Sequence, residues 1–472
     1  MSIQSRHIRA TVFTGAILLH LISTSAHVHL FDFVISLLSI VAVAIAIPHA
    51  SSMARTLTFI FILSGSWMLW ARGIHLPQYI SLYGNMLHLL SLFVIIPLLA
   101  IPIQLGGYSK IIKRLLHLKV RSQQHLYQLI SGSSFFLSCF MNLATLPMMY
   151  YSVKDTIDQY PIQSHKRFVS MSIVHGYALP ILWTPVAPIV GVVLDLTGVS
   201  WIRMFPVLLS LSLGGLILDW SIHFLMKNRL SFSKIQDKQA RREAATTLEE
   251  GFMIDKSEAK IIKRKLMQLG LVISFFILLI TTLEHALPIG MVLTTVLMTF
   301  PFAAIWSGLM GKGASFLEKA SRHVSRYVPD MAEQFAIFLS AGFFVKALEL
   351  TGHNHEVNVV VQGLNHWMGD PLFLALLPFI PLGLSFTGMH PVVAIALLAE
   401  SLNPQLLGIS VEKLTVALLG GAVTTFLMGP FNATIGIMSS IIKETPLRIS
   451  AWNGSFTAGF VVLLIGFLYF LP

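Results

Sequence analysis

Apolar residues fall into long runs, separated by short polar segments, over most of the chain. The runs cover about 10–26, 29–48, 56–71, 84–103, 169–195, 202–226, 266–284, 287–308, 330–350, 412–441 and 453–471. Most approach the roughly 20 residues that a helix needs to cross a bilayer. Strands of a membrane barrel would be about ten residues long with strict alternation, and that alternation is absent. The pattern predicts an all-α polytopic membrane protein. Two further apolar stretches, 127–150 and 371–399, carry polar interruptions. Two of the runs carry breaks of their own, "LPILWTPVAPIVG" at 179–191 and "TFLMGPFNATIG" at 425–436.

Composition agrees with a membrane solvent. Of 472 residues, 55% are hydrophobic and only 11% charged, too little charge to cover a soluble domain. The net charge of +11 could suggest nucleic acid. Its distribution argues instead for basic loops on the cytoplasmic side of a plasma membrane. Segments 107–126, 151–168, 227–265, 311–329 and 442–449 all carry lysine or arginine, whereas 351–370 and 400–411 carry neither. With the N-terminus inside, this segregation holds if 127–150 and 371–399 each enter and leave on one side. They are therefore expected to be re-entrant hairpins, which leaves the C-terminus outside. The basic 107–126 segment should lie in the membrane interface. Arg6, Arg9 and the apolar run after them imitate a signal peptide, but are expected to form a retained first helix.

The chain divides into N-terminal spans (1–83), a first half (84–226), a polar connector (227–265) and a second half (266–472). Each half runs through a span, an amphipathic segment, a broken hairpin, a broken span and a final span. The first series starts outside and the second inside, which is an inverted-topology repeat, a common plan for transporters. The hairpin breaks "LSCFMNLATLP" (137–147) and "LGLSFTGMHPV" (382–392) correspond. So do the broken spans, with Thr184-Pro185 set on Gly429-Pro430.

Irregular backbone at membrane depth survives only inside protein or beside a water-filled cavity. Proline frees the carbonyl one turn back, and such carbonyls with Ser, Thr and Asn oxygens are hard ligands for sodium. The N-termini of half-helices suit an anion. Ordinary kinks would explain any one break, but four paired breaks point to a site. Asn142, Thr145, Thr184, Thr387, His390 and Asn432 are the expected substrate contacts. Ser138, Asn142, Thr145, Ser385, Thr387 and Thr434 are the expected ion ligands. His390 could contact substrate or couple protons, or be a hydrogen-bonded structural group. No carboxylate lies near the four breaks. Asp195, Asp219, Glu284 and Glu349 lie towards span ends, so the solute should be anionic or neutral. Asp219 and His223 are four apart, as many structural pairs are, and Lys346 with Glu349 should neutralise each other.

At these residues the chain resembles the ion transporter superfamily, which includes divalent anion:sodium symporters, arsenite exporters and certain sodium/proton antiporters. "GGYSKIIKRLL" with "SGSSFFLSCFMNLATLPM" is similar to its amphipathic segment and first hairpin. "AIFLSAGFFVKALELTG" with "LSFTGMHPVVAIALL" is similar to the same stretch of its second repeat, and "TPVAP" and "GPFNAT" to its unwound loops. The resemblance spans about 84–471. It implies a scaffold domain, a mobile transport domain, elevator-type movement and a homodimer. The expected protein is a secondary active transporter of a small anion, a carboxylate, coupled to sodium or protons, with no enzyme activity. Its partners would be that solute and the lipid bilayer, with no nucleic acid and no cofactor beyond sodium. Cation/proton antiport and oxyanion export are alternatives within the fold.

A different class, a membrane metalloenzyme, would use His353, His355, Glu356 and His366. That grouping has no helical His-Glu-x-x-His spacing and reads better as an exposed loop. The single cysteine, Cys139, excludes intrachain disulfides and multi-cysteine metal sites. It should be a small buried hydrophobe. No phosphate-binding Gly-x-x-x-x-Gly-Lys-Ser/Thr loop occurs, which argues against ATP-driven transport within this chain.

Overall fold

In the computed structural model the described residues are 3–26, 31–108, 110–112, 114, 122–157, 162, 164–230, 256–287, 289–353, 359, 363, 366–402 and 404–471. They form helices and no strand. In chain order these are α1 (Ile3–Ala26), α2 (Asp32–Ala46), α3 (Ser52–Ala71), α4 (Leu76–Ser81), α5 (Leu87–Ile95), α6 (Ala100–Leu105), α7 (Gln123–Met141), α8 (Thr145–Ile157), α9 (His165–Ala178), α10 (Pro188–Thr197) and α11 (Trp201–Leu230). The second part contains α12 (Lys256–Ala286), α13 (Gly290–Leu309), α14 (Gly313–Arg326), α15 (Ala332–Thr351), α16 (Asp370–Leu376), α17 (Phe379–Phe386), α18 (Pro391–Ser401), α19 (Pro404–Leu407), α20 (Val411–Met428), α21 (Ala433–Ile442) and α22 (Pro446–Phe470). Eleven helical stretches among the described residues are long and apolar enough to cross a membrane.

The breaks fall where proline and glycine place them. Pro97 sits in the 3-10 turn that interrupts the span containing α5 and α6. Pro180 and Pro185 fall between α9 and α10, and Pro188 opens α10, where its missing N–H costs nothing. Gly429 and Pro430 separate α20 from α21. Met141 ends α7, and Gly388, at φ +92°, lies in the turn from α17 to α18.

One expectation needs correcting. Segment 311–329 is not a loop. Phe316, Ala320 and His323 share one face of α14 (buried, buried and half-buried), and Glu318, Arg322 and Arg326 are exposed, the 3.6-residue pattern of an amphipathic helix. At the connector 227–265, α11 runs on to Leu230 and α12 begins at Lys256; 231–255 lie outside the described residues. Most of the basic part of 107–126 also lies outside them.

The first helix belongs to the bundle. Phe13 stacks on Phe335 of α15 at 3.9 Å between centroids. Arg6 pairs with Asp330 at 2.7 Å, and the buried Arg9 donates to the Pro329 carbonyl. Around the breaks the packing is reciprocal: α21 lies on α8, and α10 lies on α18. α7 packs along α9, and α17 packs along α20. Each of these last two pairs closes at a glycine. A Cβ at Gly176 would lie 2.2 Å from the Ser131 carbonyl oxygen, and one at Gly421 would lie 3.0 Å from Pro378 Cα. The sequence offset that sets Thr184 on Gly429 also sets Gly176 on Gly421.

Candidate functional site

Asn142 is the corner between α7 and α8. Its backbone sits at φ 47°, ψ −135°, a region that costs a non-glycine residue about 1–3 kcal/mol. Asparagine tolerates positive φ better than most residues, and Tyr177 of α9 secures this one by donating its hydroxyl to Asn142 Oδ1 at 3.1 Å. The Thr434 hydroxyl of α21 lies beside Tyr177 without reaching hydrogen-bond geometry. One phenol thus touches the first turn and the second broken span. Thr145 and Thr434 are fully buried, and neither hydroxyl has a hydrogen-bond partner. Ser138 is buried and donates to the Phe135 carbonyl one turn back.

The first broken span is stitched to the same turn. Thr184, buried, donates to the Cys139 carbonyl at 2.9 Å, one of the carbonyls that the end of α7 leaves without a helical partner. Cys139 itself is buried, as expected. Other carbonyls at this break are also taken. Ser212 donates to Leu179 and the Trp201 indole to Trp183, at 2.9 and 2.8 Å.

Asn432 is fully engaged. Its Nδ2 donates to the carbonyls of Thr425 (2.7 Å) and Phe426 (3.3 Å), and its Oδ1 accepts from Ile435 N (2.8 Å). It therefore caps α21 while satisfying the end of α20, a capping role as well as a position at the break. Ser385 packs against Gly429, where a Cβ would lie 2.5 Å from the serine hydroxyl, and donates to Leu382. Thr387 is exposed and donates to Leu384. His390 is the N-cap residue of α18, and its ring lies edge-to-face with Phe93 at 6.5 Å between centroids; its Nδ1 is buried without a partner.

The structure thus bonds Tyr177 to Asn142 with Thr434 alongside, bonds Thr184 to Cys139, and packs Ser385 on Gly429. Among the described residues no hydrogen bond links the Thr387–His390 turn to the Asn142 turn.

A cavity of about 430 Å³ lies elsewhere, between the end of α10, α15, α18 and α19, and is lined by Thr197, Glu349, Glu400 and Gln405 among others. None of the predicted site residues lines it. Lys346 and Glu349 pair at 2.7 Å as expected, and Asp195 pairs with His88 at 2.9 Å. Asp219 pairs with His175 rather than with His223. His355 and Glu356 of the metal alternative lie outside the described residues. No group of three His, Cys, Asp or Glu among the described residues could hold a metal.

Sequence reasoning missed Tyr177 and His175. Both stand on the segment before "TPVAP", and a polar residue inside an apolar broken helix was the signal that could have found them.

The fold is that of a multi-pass helical membrane protein with interrupted spans, the class from which transporters are built. No protein-family model and no curated sequence matches the chain. Among solved structures, the YdaH transporter of Alcanivorax borkumensis, described as having an unusual topology, is similar to it. The TM-score is 0.57 over 83% of this chain and 87% of that one, at 13% identity. The chain therefore shares its fold with a membrane transporter.

Proposed function

We propose that the protein is a secondary active transporter of a small carboxylate anion, driven by a sodium or proton gradient. In this reading 84–226 and 330–471 are inverted repeats, with the helices of 266–308 preceding the second, the interrupted segments at 127–150 and 371–399 are re-entrant hairpins, and a homodimer moves its transport domains by an elevator mechanism. The observation that carries it is the meeting of the two halves at Tyr177, which bonds Asn142 of the first and adjoins Thr434 of the second. The reciprocal packing of α21 on α8 and α10 on α18 supports the repeat.

An anion suits the place because four helices, α8, α10, α18 and α21, begin at the breaks, and helix N-termini favour negative charge. The side chains at these breaks are neutral hydroxyls, an amide and an imidazole. Antiport of a cation would call for a carboxylate there. The acidic lining of the cavity at Glu349 and Glu400 sits apart from the predicted site residues.

Of the residues at the four breaks, Thr145 and Thr434 carry buried hydroxyls without a hydrogen-bond partner, which leaves them able to serve a ligand. The test is thermal unfolding of the purified full-length protein with acetate, succinate or citrate, in sodium and in choline buffer. A ligand of the native state stabilises it by mass action, so one carboxylate should raise the melting temperature in the wild type and not in Thr145→Val with Thr434→Val. No carboxylate effect, or an effect unchanged in the double variant, would refute the site.

A further inference from the structure

The deepest polar cluster lies outside the four breaks, where α7, α9, α11 and α22 meet. Tyr127, His175, Asp219 and Asn453 are all buried, three of them at 0% exposure and Asp219 at 2%. His175 Nδ1 is 2.6 Å from Asp219 Oδ1, and the Tyr127 hydroxyl donates to that same oxygen at 2.8 Å while lying 3.1 Å from His175 Nδ1. His175 Nε2 is 3.1 Å from Asn453 Oδ1, and Asn453 Nδ2 donates to the Leu427 carbonyl at 2.7 Å. Asp219 Oδ2 has no partner.

The hydrogen bonds count the protons. Leu427 O can only accept, so it fixes the Asn453 amide with Oδ1 towards the ring. His175 Nε2 must then carry a hydrogen. At 2.6 Å a hydrogen must also lie between Nδ1 and Asp219, on either atom. The pair therefore holds one proton beyond neutral imidazole and carboxylate, and is neutral overall. Loss of that proton leaves a lone pair facing a carboxylate and a net charge in an apolar interior, which is costly. The Tyr127 hydroxyl stands within reach of both, and can turn from Asp219 to Nδ1 when the proton leaves.

Packing alone does not call for these residues. The offset that sets Thr184 on Gly429 sets His175 on Gly420 and Asp219 on Leu464. A Cβ at Gly420 would lie 2.3 Å from a Leu464 methyl. The second half thus closes the matching contact with glycine and leucine. Apolar replacements of buried ion pairs are often neutral or stabilising, so a polar cluster here calls for a role beyond packing. The cluster also reaches a break, because Leu427 lies two residues before Gly429, and His175 stands in the helix that leads to Thr184.

The groups that face the pair are Tyr127 from α7, and from α11 His223, which stacks on Tyr127 at 3.9 Å. From α22 come Asn453 and the Phe456 ring, 4.3 Å from the imidazole centroid. α20 contributes the Leu427 carbonyl. No lysine, arginine or second carboxylate bonds to Tyr127, His175 or Asp219 among the described residues.

We propose that His175 and Asp219 form the binding site for the coupling proton. The pair takes one proton from water on one side of the membrane and releases it to water on the other, with no bond to the solute formed or broken. Its state is passed to the α20–α21 break through Asn453 and Leu427. This inference rests on the transporter reading, and its test separates the two.

Infrared difference spectra between acid and alkaline buffer are recorded for the full-length protein in lipid nanodiscs. Wild type should show coupled carboxyl and imidazole bands that are absent from Asp219→Asn and from His175→Gln. The bands should persist with a displaced midpoint in Tyr127→Phe, which keeps the pair and loses only a hydroxyl. Bands that are unchanged in all three variants would overturn the proposal, as would a wild type without them. If the pair variants do not fold, Tyr127→Phe decides: an unmoved midpoint overturns it. In proteoliposomes, wild type should accumulate labelled succinate under a pH gradient and exchange it in counterflow, and Asp219→Asn should lose the accumulation; accumulation at the wild-type level would overturn the proposal. A wild type that moves no succinate in either assay counts against the anion transporter reading, and the infrared bands still decide the proton site.

Discussion

Gly176→Ala tests the geometry on which the first turn and first break both depend. A Cβ at this position would lie 2.2 Å from the Ser131 carbonyl oxygen, 2.9 Å from its carbon and 2.9 Å from Ser134 Cβ. Ordinary contact begins at 3.4 Å, so α7 and α9 would have to part by roughly 1 Å. The obstacle is backbone and cannot rotate away. Overpacking costs about 1–3 kcal/mol, occasionally more, while alanine regains about 1 kcal/mol of helix propensity over glycine. With backbone in the way the cost should reach the upper end, a net loss of about 2 kcal/mol. Gly421 offers a milder case, with Pro378 Cα at 3.0 Å and O at 3.1 Å, and Gly436 has nothing within 4 Å. Gly421→Ala should therefore come near balance, and Gly436→Ala should gain up to about 1 kcal/mol. Tryptophan fluorescence melts of the three full-length variants in one detergent give the order. Gly176→Ala melting at or above Gly436→Ala would refute the close approach of α7 to α9.

Asn432→Ala should destabilise the fold by about 1–3 kcal/mol, because the Thr425 and Phe426 carbonyls and Ile435 N lose a buried partner; a melting temperature equal to wild type would show that the cap is dispensable. At Asn142, glycine relieves the positive φ but loses the bond from Tyr177, whereas alanine loses the bond and keeps the strain. Asn142→Gly should thus melt above Asn142→Ala, by an amount equivalent to about 1 kcal/mol or more, and the reverse order would contradict the backbone described. Glu444, in the loop between α21 and α22, is held below the ordinary carboxylate 4.5 chiefly by the hydrogen bond from Lys166, with Arg448 helping. A depressed carboxylate stabilises the fold above its unfolded value and loses that effect as pH falls through the folded value. Glu444→Gln should therefore lower the melting temperature slightly at neutral pH and not in strong acid, and added salt should shrink the difference. A variant equally depressed at both pH values would assign the effect to packing.

Runs of apolar residues made most of the spans legible, since a helix crossing lipid must be apolar over its whole length. Breaks were legible for the same reason: Pro180, Pro185, Gly429 and Pro430 contradict the runs around them. What proline and glycine do not disclose is who satisfies the freed backbone. Asn432 looked like a substrate contact because asparagine stood at a break. The structure shows it spending its amide on Thr425, Phe426 and Ile435. Likewise α14 was read as a loop from its lysines and arginines, although Phe316, Ala320 and His323 already had helical spacing.

Pairing across the chain was the part the sequence concealed. Asp219 invited a partner four residues on, at His223, because spacing along one helix is all that a linear reading can test. The bundle instead brings it His175 from the helix before the first break and Tyr127 from the helix before the first turn. It carries the contact on to Asn453 near the start of the last helix. Each of these residues alone is an isolated polar group in an apolar run, which is costly in lipid. Together they satisfy one another except at Asp219 Oδ2. That arithmetic bears on how the two halves differ. The two halves carry broken spans and close glycine contacts at positions matched by one offset. At the contact where the first half sets His175 against Asp219, the second sets Gly420 against Leu464. In the proposed transporter, breaks present in both halves and an ionisable pair present in one would let both halves shape the solute site while one half answers to protons.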